Sequence, residues 1–324
     1  MTVELKVTST DNHNFSFSGE VSIPQAPPEF KSGFIGIIGR PNVGKSTLMN
    51  QLIGQKIAIT SPIAQTTRNR LRGILTTPEA QLIFVDTPGI HKPHHELGKV
   101  LVKNARNAID AVDVVLFVVD GSVPCGAGDR FIVDLLIRTE TPVILGLNKI
   151  DQQPSNFDLI DQSYQSLAKE QQWPTVKFSA QTSAGLPELQ QLLIAGLETG
   201  PFYYPPDLVT DQPERFIMGE LIREQILLLT REEVPHSVAI AIDLVEEAPT
   251  ITRILATIHV ERDSQKGILI GKGGSMLKAI GSAAREQIQK LLDGKVYLEL
   301  FVKVQPKWRQ SRMSLAELGY RVEE

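Results

Sequence analysis

Residues 39–46 read Gly-Arg-Pro-Asn-Val-Gly-Lys-Ser, a loop of the form G-x-x-x-x-G-K-S. The residues before it, Phe34-Ile35-Gly36-Ile37-Ile38, have the apolar run of a buried strand, and those from Lys45 to Ile53 read as a helix. Strand, glycine loop and helix in this order make the pattern a phosphate-binding loop. Gly39 and Gly44 let the chain through Arg40, Pro41, Asn42 and Val43 curl, so that backbone N–H groups turn toward phosphate oxygens. Lys45 reaches for the β- and γ-phosphates, and the Ser46 hydroxyl suits Mg²⁺. The helix start around Thr47 adds its positive dipole end.

Three further elements complete a nucleotide site. The strand 82–85 runs into Asp86-Thr87-Pro88-Gly89-Ile90. An acid at the carboxyl end of a buried strand suits a Mg²⁺ contact, and Gly89 leaves its own N–H free to meet a γ-phosphate. The run Val143 to Leu147 leads into Asn148-Lys149-Ile150-Asp151. The Asp151 carboxylate can accept from the N1–H and 2-amino group of guanine, a pair of donors that adenine lacks. Lys149 lies over the base, Asn148 ties this loop to the phosphate loop, and a backbone N–H at Ser179-Ala180 reaches the guanine O6. Between the first two elements sits Ala64-Gln65-Thr66-Thr67-Arg68-Asn69, where a hydroxyl must complete the metal shell when a γ-phosphate is present. Thr66 and Thr67 both offer one; Thr67 is favoured. The metal set is thus Ser46, Thr67 and Asp86, and Lys45, Thr67 and Gly89 carry the catalysis.

The order of these four motifs resembles the TrmE–Era branch of bacterial P-loop GTPases over about residues 33–197. The resemblance implies GTP and GDP as ligands, Mg²⁺, and a potassium ion held beside the phosphates by Asn42. An enzyme of the Ras type places a glutamine after the glycine to orient water. Ile90 stands there, which implies slow intrinsic turnover. His91, His94 and His95 follow around Lys92 and Pro93, but no acid or cysteine completes a metal set, so a polar loop is the better reading.

The chain has 324 residues, a length that favours two domains. Residues 1–32 are polar and carry Pro24, Pro27 and Pro28, and read as a mobile N-terminal extension. From 33 to 197, buried strands at 34–38, 82–85, 114–119, 143–147 and 175–178, with an edge strand at 70–76, alternate with helices at 45–53, 97–111, 127–138, 157–171 and 186–197. That alternation predicts an α/β domain with a mostly parallel sheet. Residues 198–213, with Pro201, Pro205, Pro206 and Pro213, read as a linker. Net charge is −4, so any nucleic-acid surface is local. One cysteine, Cys125, excludes an internal disulfide and suits a reducing, cytoplasmic setting. No apolar run approaches the ~20 residues of a membrane span.

Residues 214–324 have a different pattern: a helix over 214–230, strands at 237–246 and 251–261 around the turn Glu247-Ala248-Pro249-Thr250, a helix over 275–292 and a strand over 295–304. Before the second helix, a strand-like segment from Gly267 ends in Gly271-Lys272-Gly273-Gly274. Such a G-x-x-G loop lets an RNA or single-stranded DNA backbone come close, with Lys272 and a helix N-terminus on its phosphates and an aliphatic groove of Ile268, Ile270 and Leu277 for bases. A dinucleotide site is the poorer match, since Met276 sits where a third glycine belongs. Local charge agrees with RNA. Arg262, Lys266, Lys272 and Lys278 face Asp263 alone, and Lys303, Lys307, Arg309 and Arg312 have no acid among them. Trp308 either stacks on a base or anchors the tail.

The α-β-β-α-β order resembles a type II KH domain, a smaller α+β fold. A GTPase followed by a KH domain in one chain resembles the Era family, over about 33–320. That resemblance implies binding of small-subunit ribosomal RNA near its 3′ end, a role in biogenesis of the small ribosomal subunit, and peripheral membrane association. No stable protein partner is inferred. Two departures stand out: the long extension, and the basic Arg309-Gln310-Ser311-Arg312. The competing readings are a signalling GTPase whose second domain binds a protein, and an ATP-dependent RNA enzyme, against which Asp151 argues.

Overall fold

The computed structural model describes residues 23–60, 71–86, 109–155, 157–231, 234, 237–311 and 313. Among them, nine strands form a six-stranded sheet and a three-stranded sheet. The first holds β1 (Lys31–Ile38), β2 (Leu71–Thr76), β3 (Ala80–Asp86), β4 (Val114–Asp120), β5 (Val143–Asn148) and β6 (Thr175–Lys177), in the order β2-β3-β1-β4-β5-β6. All neighbours are parallel except β2 on β3. The central strands are apolar along their length because helices cover both faces, and β3 is buried at every residue. The helices are α1 (Lys45–Ile53), α2 (Ala127–Leu136), α3 (Asp158–Gln171) and α4 (Leu186–Ala195). The expected helix at 97–111 lies outside the described residues up to Ile109, which is buried.

β1 starts at Lys31, inside the stretch read as an extension. Phe30 is buried against Phe202, and Lys31 pairs with Thr199. The linker also departs from a free spacer. Its Thr210 pairs with Gly73 and Ile74 donates to the Val209 carbonyl, so linker residues line the outer edge of β2. Prolines keep this stretch from regular structure, while its few N–H and C=O groups still cover an edge that would otherwise stay open.

The second unit begins with α5 (Glu214–Leu229). β7 (Ala239–Ala248) and β8 (Ile251–Val260) form an antiparallel hairpin, and β9 (Val296–Val304) adds parallel to β8. Between β8 and β9 lie α6 (Asp263–Ile270) and α7 (Ser275–Leu292). α6 corrects the strand-like reading of 267–270. The Gln265 side chain accepts from the N–H groups of Glu261 and Arg262 and so starts a helix that the apolar Ile268-Leu269-Ile270 only completes. One buried apolar cluster joins the two units, from Leu82 and Phe84 through Met49 and Ile57 to Ile222 and Ile258.

Candidate functional site

The phosphate loop leaves β1 at the carboxyl edge of the sheet, beside the ends of β3, β4 and β5. Gly44 adopts φ 97°, and a Cβ there would lie 2.3 Å from Asn148 Nδ2. Gly39 is equally constrained, with the Val118 carbonyl 2.3 Å from the place of a Cβ. Both glycines are therefore demanded by the loop's path.

Lys45 is buried, and its Nζ donates to the carbonyls of Gly39 at 3.1 Å and Arg40 at 2.9 Å. Burial pushes its pKa down to about 8, with Asp86 opposing the shift. The ammonium is thus held inside its own loop, where a polyphosphate would give it compensating charge. Ser46 Oγ lies 3.2 Å from Oδ2 of the fully buried Asp86. Two hard oxygens side by side, one anionic, fit a Mg²⁺ ion. Thr67 and the run Thr87-Pro88-Gly89-Ile90 lie outside the described residues, as do His91, His94 and His95.

Asn148 closes the other side. Its Nδ2 donates to the Val43 carbonyl at 2.8 Å, and its Oδ1 accepts from Ala180 N at 2.9 Å. One buried amide thus fastens three loops together. Asp151 Oδ1 accepts from Ser179 Oγ at 2.6 Å, and the carboxylate stays exposed for a base.

Sequence reasoning missed Asp120. Its carboxylate takes the Lys149 ammonium at 2.6 Å and accepts from Ser122 Oγ at 2.5 Å. Burial opposes its charge, yet the Lys149 and Ser122 bonds prevail and hold its pKa below the ordinary value. Lys149, at φ 66°, is thereby fixed beside the base site. The signal was an acid followed by glycine at the end of β4. A second missed pair is Arg40 on the fully buried Asp129 of α2, at 2.7 Å. That guanidinium is engaged by α2, which leaves the Arg40 backbone as its part in the loop.

In the second unit, Gly271, Gly273 and Gly274 all have positive φ, at 70°, 60° and 81°. The places of Cβ atoms at Gly273 and Gly274 have nothing within 4 Å, so a ligand backbone can approach there. Lys272 is exposed between Gly271 and Gly273. From this loop a groove of about 370 Å³ runs between α7 and the edge strand β9. Leu277, Lys278, Ser282 and Arg285 form one wall, and Leu298 to Leu300 the other. Of the expected apolar lining, Leu277 stands in this groove, Ile268 is half exposed on α6, and Ile270 is partly buried against the core. Lys307 and Arg309 are exposed, and Arg309 pairs with Glu261. Trp308 is only 2% exposed and donates from Nε1 to the Ser237 carbonyl at 3.2 Å. It is the anchor of the tail and is closed to a stacking base.

A phosphate loop on a parallel sheet, a guanine-type base loop and a G-x-x-G helical module define a P-loop GTPase carrying a C-terminal KH domain. Family models agree: residues 34–149 match a 50S ribosome-binding GTPase model, and 233–309 a KH domain model. The chain is 84% identical over its full length, and that of its relative, to GTPase Era of Nostoc sp. strain PCC 7120. It is 68% identical to GTPase Era of Synechocystis sp., over 94% of this chain and 96% of that one. Two crystal structures of Era superpose with a TM-score of 0.83 each, covering 90% of this chain and all of theirs. One is an Aquifex aeolicus variant bound to GDP and aluminium fluoride, at 39% identity. The other, at 38%, is a complex with MgGDPNP and nucleotides 1506–1542 of 16S ribosomal RNA. The chain belongs to the Era family of GTPases.

Proposed function

We propose that this GTPase is a switch that binds small-subunit ribosomal RNA near its 3′ end through the KH groove and acts in biogenesis of the small ribosomal subunit. The observation that carries the reading is the open Gly273-Gly274 backbone at the mouth of a groove walled by Lys278 and Arg285. An RNA backbone meets glycine and cations there, and bases turn toward Leu277 and β9. The relative seen with 16S RNA contains both domains, whereas the 50S description belongs to a model of the GTPase domain alone.

In the GTPase domain, Lys45, Ser46 and the 39–44 backbone would hold the phosphates, and Asp151 with Ser179 and Ala180 the guanine. Ser46, Asp86 and Thr67 would hold Mg²⁺, which when bound neutralises phosphate charge. Asn42 would be the residue to hold a potassium ion, a role that rests on the family resemblance. The reaction transfers the γ-phosphoryl group to water in line, with release of GDP and phosphate. This chain's residues position the phosphates and stabilise charge rather than supply covalent chemistry. A cytoplasmic location accords with the RNA partner and the single cysteine. Peripheral membrane contact rests on family resemblance, and no helix among the described residues is long and apolar enough to cross a membrane.

The test is binding of an RNA spanning nucleotides 1506–1542 of 16S RNA, at one fixed salt concentration. Replacing Lys272 and Gly273 by Asp should abolish RNA binding through charge and bulk while GTP binding survives. Equal RNA affinity in this variant would exclude the KH groove as the site.

A further inference from the structure

Glu224 sits in the middle of α5, the first helix of the KH unit, and is 1% exposed. Three of its hydrogen bonds come from the GTPase domain. Oε2 takes the Lys56 ammonium at 2.5 Å, and Oε1 accepts from Thr60 N at 2.7 Å and from Thr60 Oγ1 at 3.2 Å. A neighbour on the same helix, Gln225, donates to Oε2 at 3.3 Å. A buried carboxylate persists only when its lone pairs are filled in this way, so the pairing fixes geometry as well as charge.

The segment it grips is fastened at its other end to α1. Asn50 accepts from the N–H groups of Ile57 and Ala58 at 3.0 and 2.8 Å and donates to the Ala58 carbonyl at 2.7 Å. α1 in turn begins at Lys45 and Ser46 of the phosphate loop. The far end of the stretch 61–70 is held from the second half of the chain too. Arg72 pairs with Asp211 of the linker at 2.8 Å, and Thr210 Oγ1 donates to the Arg72 carbonyl at 2.7 Å. Both flanks of the stretch that carries Thr67 are thus bonded to residues outside the GTPase domain as well as within it. On the KH side, α5 packs against α7, whose first turn follows the Gly271–Gly274 loop.

We infer that Glu224 is a positioning residue for GTP hydrolysis: through Lys56 and Thr60 the KH unit fixes the chain that enters residues 61–70, and so sets the turnover rate. The inference rests on the reading that Thr67 acts in hydrolysis. A flank held in place lowers the conformational entropy lost when a downstream hydroxyl takes up its catalytic place. Release of the flank should lower kcat and leave nucleotide affinity nearly unchanged, because neither the phosphate loop nor the base loop touches Glu224.

The experiment is single-turnover and steady-state GTP hydrolysis by the full chain, in the wild type and in Glu224→Gln, Lys56→Met, the double variant and Thr67→Ala. Glu224→Gln keeps an acceptor for Thr60 and loses the charge that Lys56 needs. We expect kcat to fall about three- to tenfold in Glu224→Gln, with KM and GDP affinity within about twofold. Lys56→Met, changed on the half-exposed partner, should give a similar fall, and the double variant no more than either single change. Wild-type kcat in folded Glu224→Gln overturns the inference. A loss of kcat matched by an equal loss of GDP affinity also overturns it, since that is general disruption. Should Glu224→Gln fail to fold, kcat of Lys56→Met decides by the same criterion. Normal turnover in Thr67→Ala would sink the reading of the 61–70 stretch, whereas failure of the Glu224 inference alone would leave Thr67→Ala slow and Glu224→Gln at the wild-type rate.

Discussion

The Asn148 side chain donates to the Val43 carbonyl at 2.8 Å, and this bond is the direct link between the base loop and the phosphate loop. Asn148 is 2% exposed, so its loss leaves two polar backbone groups, Val43 O and Ala180 N, in a dry site. Unmade buried bonds cost about 1–3 kcal/mol each. Asn148→Ala should therefore weaken GTP and GDP by the same factor, on the order of tenfold or more, because both ligands share the base and the β-phosphate. Titration with the two nucleotides checks it. A loss confined to GTP would place the effect at the γ-phosphate and away from this bond.

Asp151 tests base choice. Its carboxylate is oriented by Ser179 and exposed on the other side, as an acceptor for two guanine donors requires. Asp151→Asn replaces one acceptor by a donor and should cost about 1.5–3 kcal/mol of GTP affinity, the range for hydrogen bonds to a charged group. Xanthosine triphosphate, with a carbonyl in place of the 2-amino group, should regain part of that loss. Competition between the two nucleotides on the variant measures it, and unchanged preference for GTP removes Asp151 from base reading.

Lys45 gives a pH dependence with a definite sign. Its pKa falls from 10.5 in the open chain to about 8 in the fold, through burial. Between those values the unfolded chain binds more protons than the folded one, so stability rises with pH across about 8 to 10.5. Below pH 8 the full penalty, about 3 kcal/mol, is present and constant. Urea unfolding of the protein free of nucleotide, compared with Lys45→Met, should show the variant more stable near pH 7 and the gap closing toward pH 10. The proposed contact of Lys45 with the phosphates uses its charged form, so GDP affinity should decline above about pH 8 in the wild type and not in the variant.

Much of this was legible because phosphate chemistry fixes spacing. A loop that must wrap oxygens with N–H groups leaves only glycine at Gly39 and Gly44, and the structure shows the clashes any other residue would meet. The tie from Asn148 was readable for the same reason. What could not be read were partners set by tertiary approach. Asp120 finds Lys149 because β4 and β5 are parallel neighbours ending level, a register that no local pattern prints. α6 looked like a strand because Gly267 and three aliphatics say nothing of the Gln265 cap that nucleates it. The prolines of 198–213 suggest a spacer, yet Thr210 on the β2 edge depends on β2 being outermost in the sheet, which prolines do not announce.

Trp308 separates anchoring from recognition in a way the basic run around it obscured. Lys307, Arg309 and Arg312 suggest an RNA surface, and an indole among them suggests stacking. The ring instead fills the space under Ser237, with its N–H spent on that carbonyl. Trp308→Phe keeps an aromatic and loses the bond, and should cost about 1 kcal/mol, or somewhat more if the Ser237 carbonyl finds no water. Trp308→Ala also opens a cavity, and should cost about 3–5 kcal/mol. Neither change should alter RNA affinity while the KH unit stays folded. Thermal unfolding and RNA titration on the same samples, well below the variant's midpoint, decide between the two roles. A Trp308→Phe protein of wild-type stability that binds RNA tenfold more weakly would return the indole to the RNA surface.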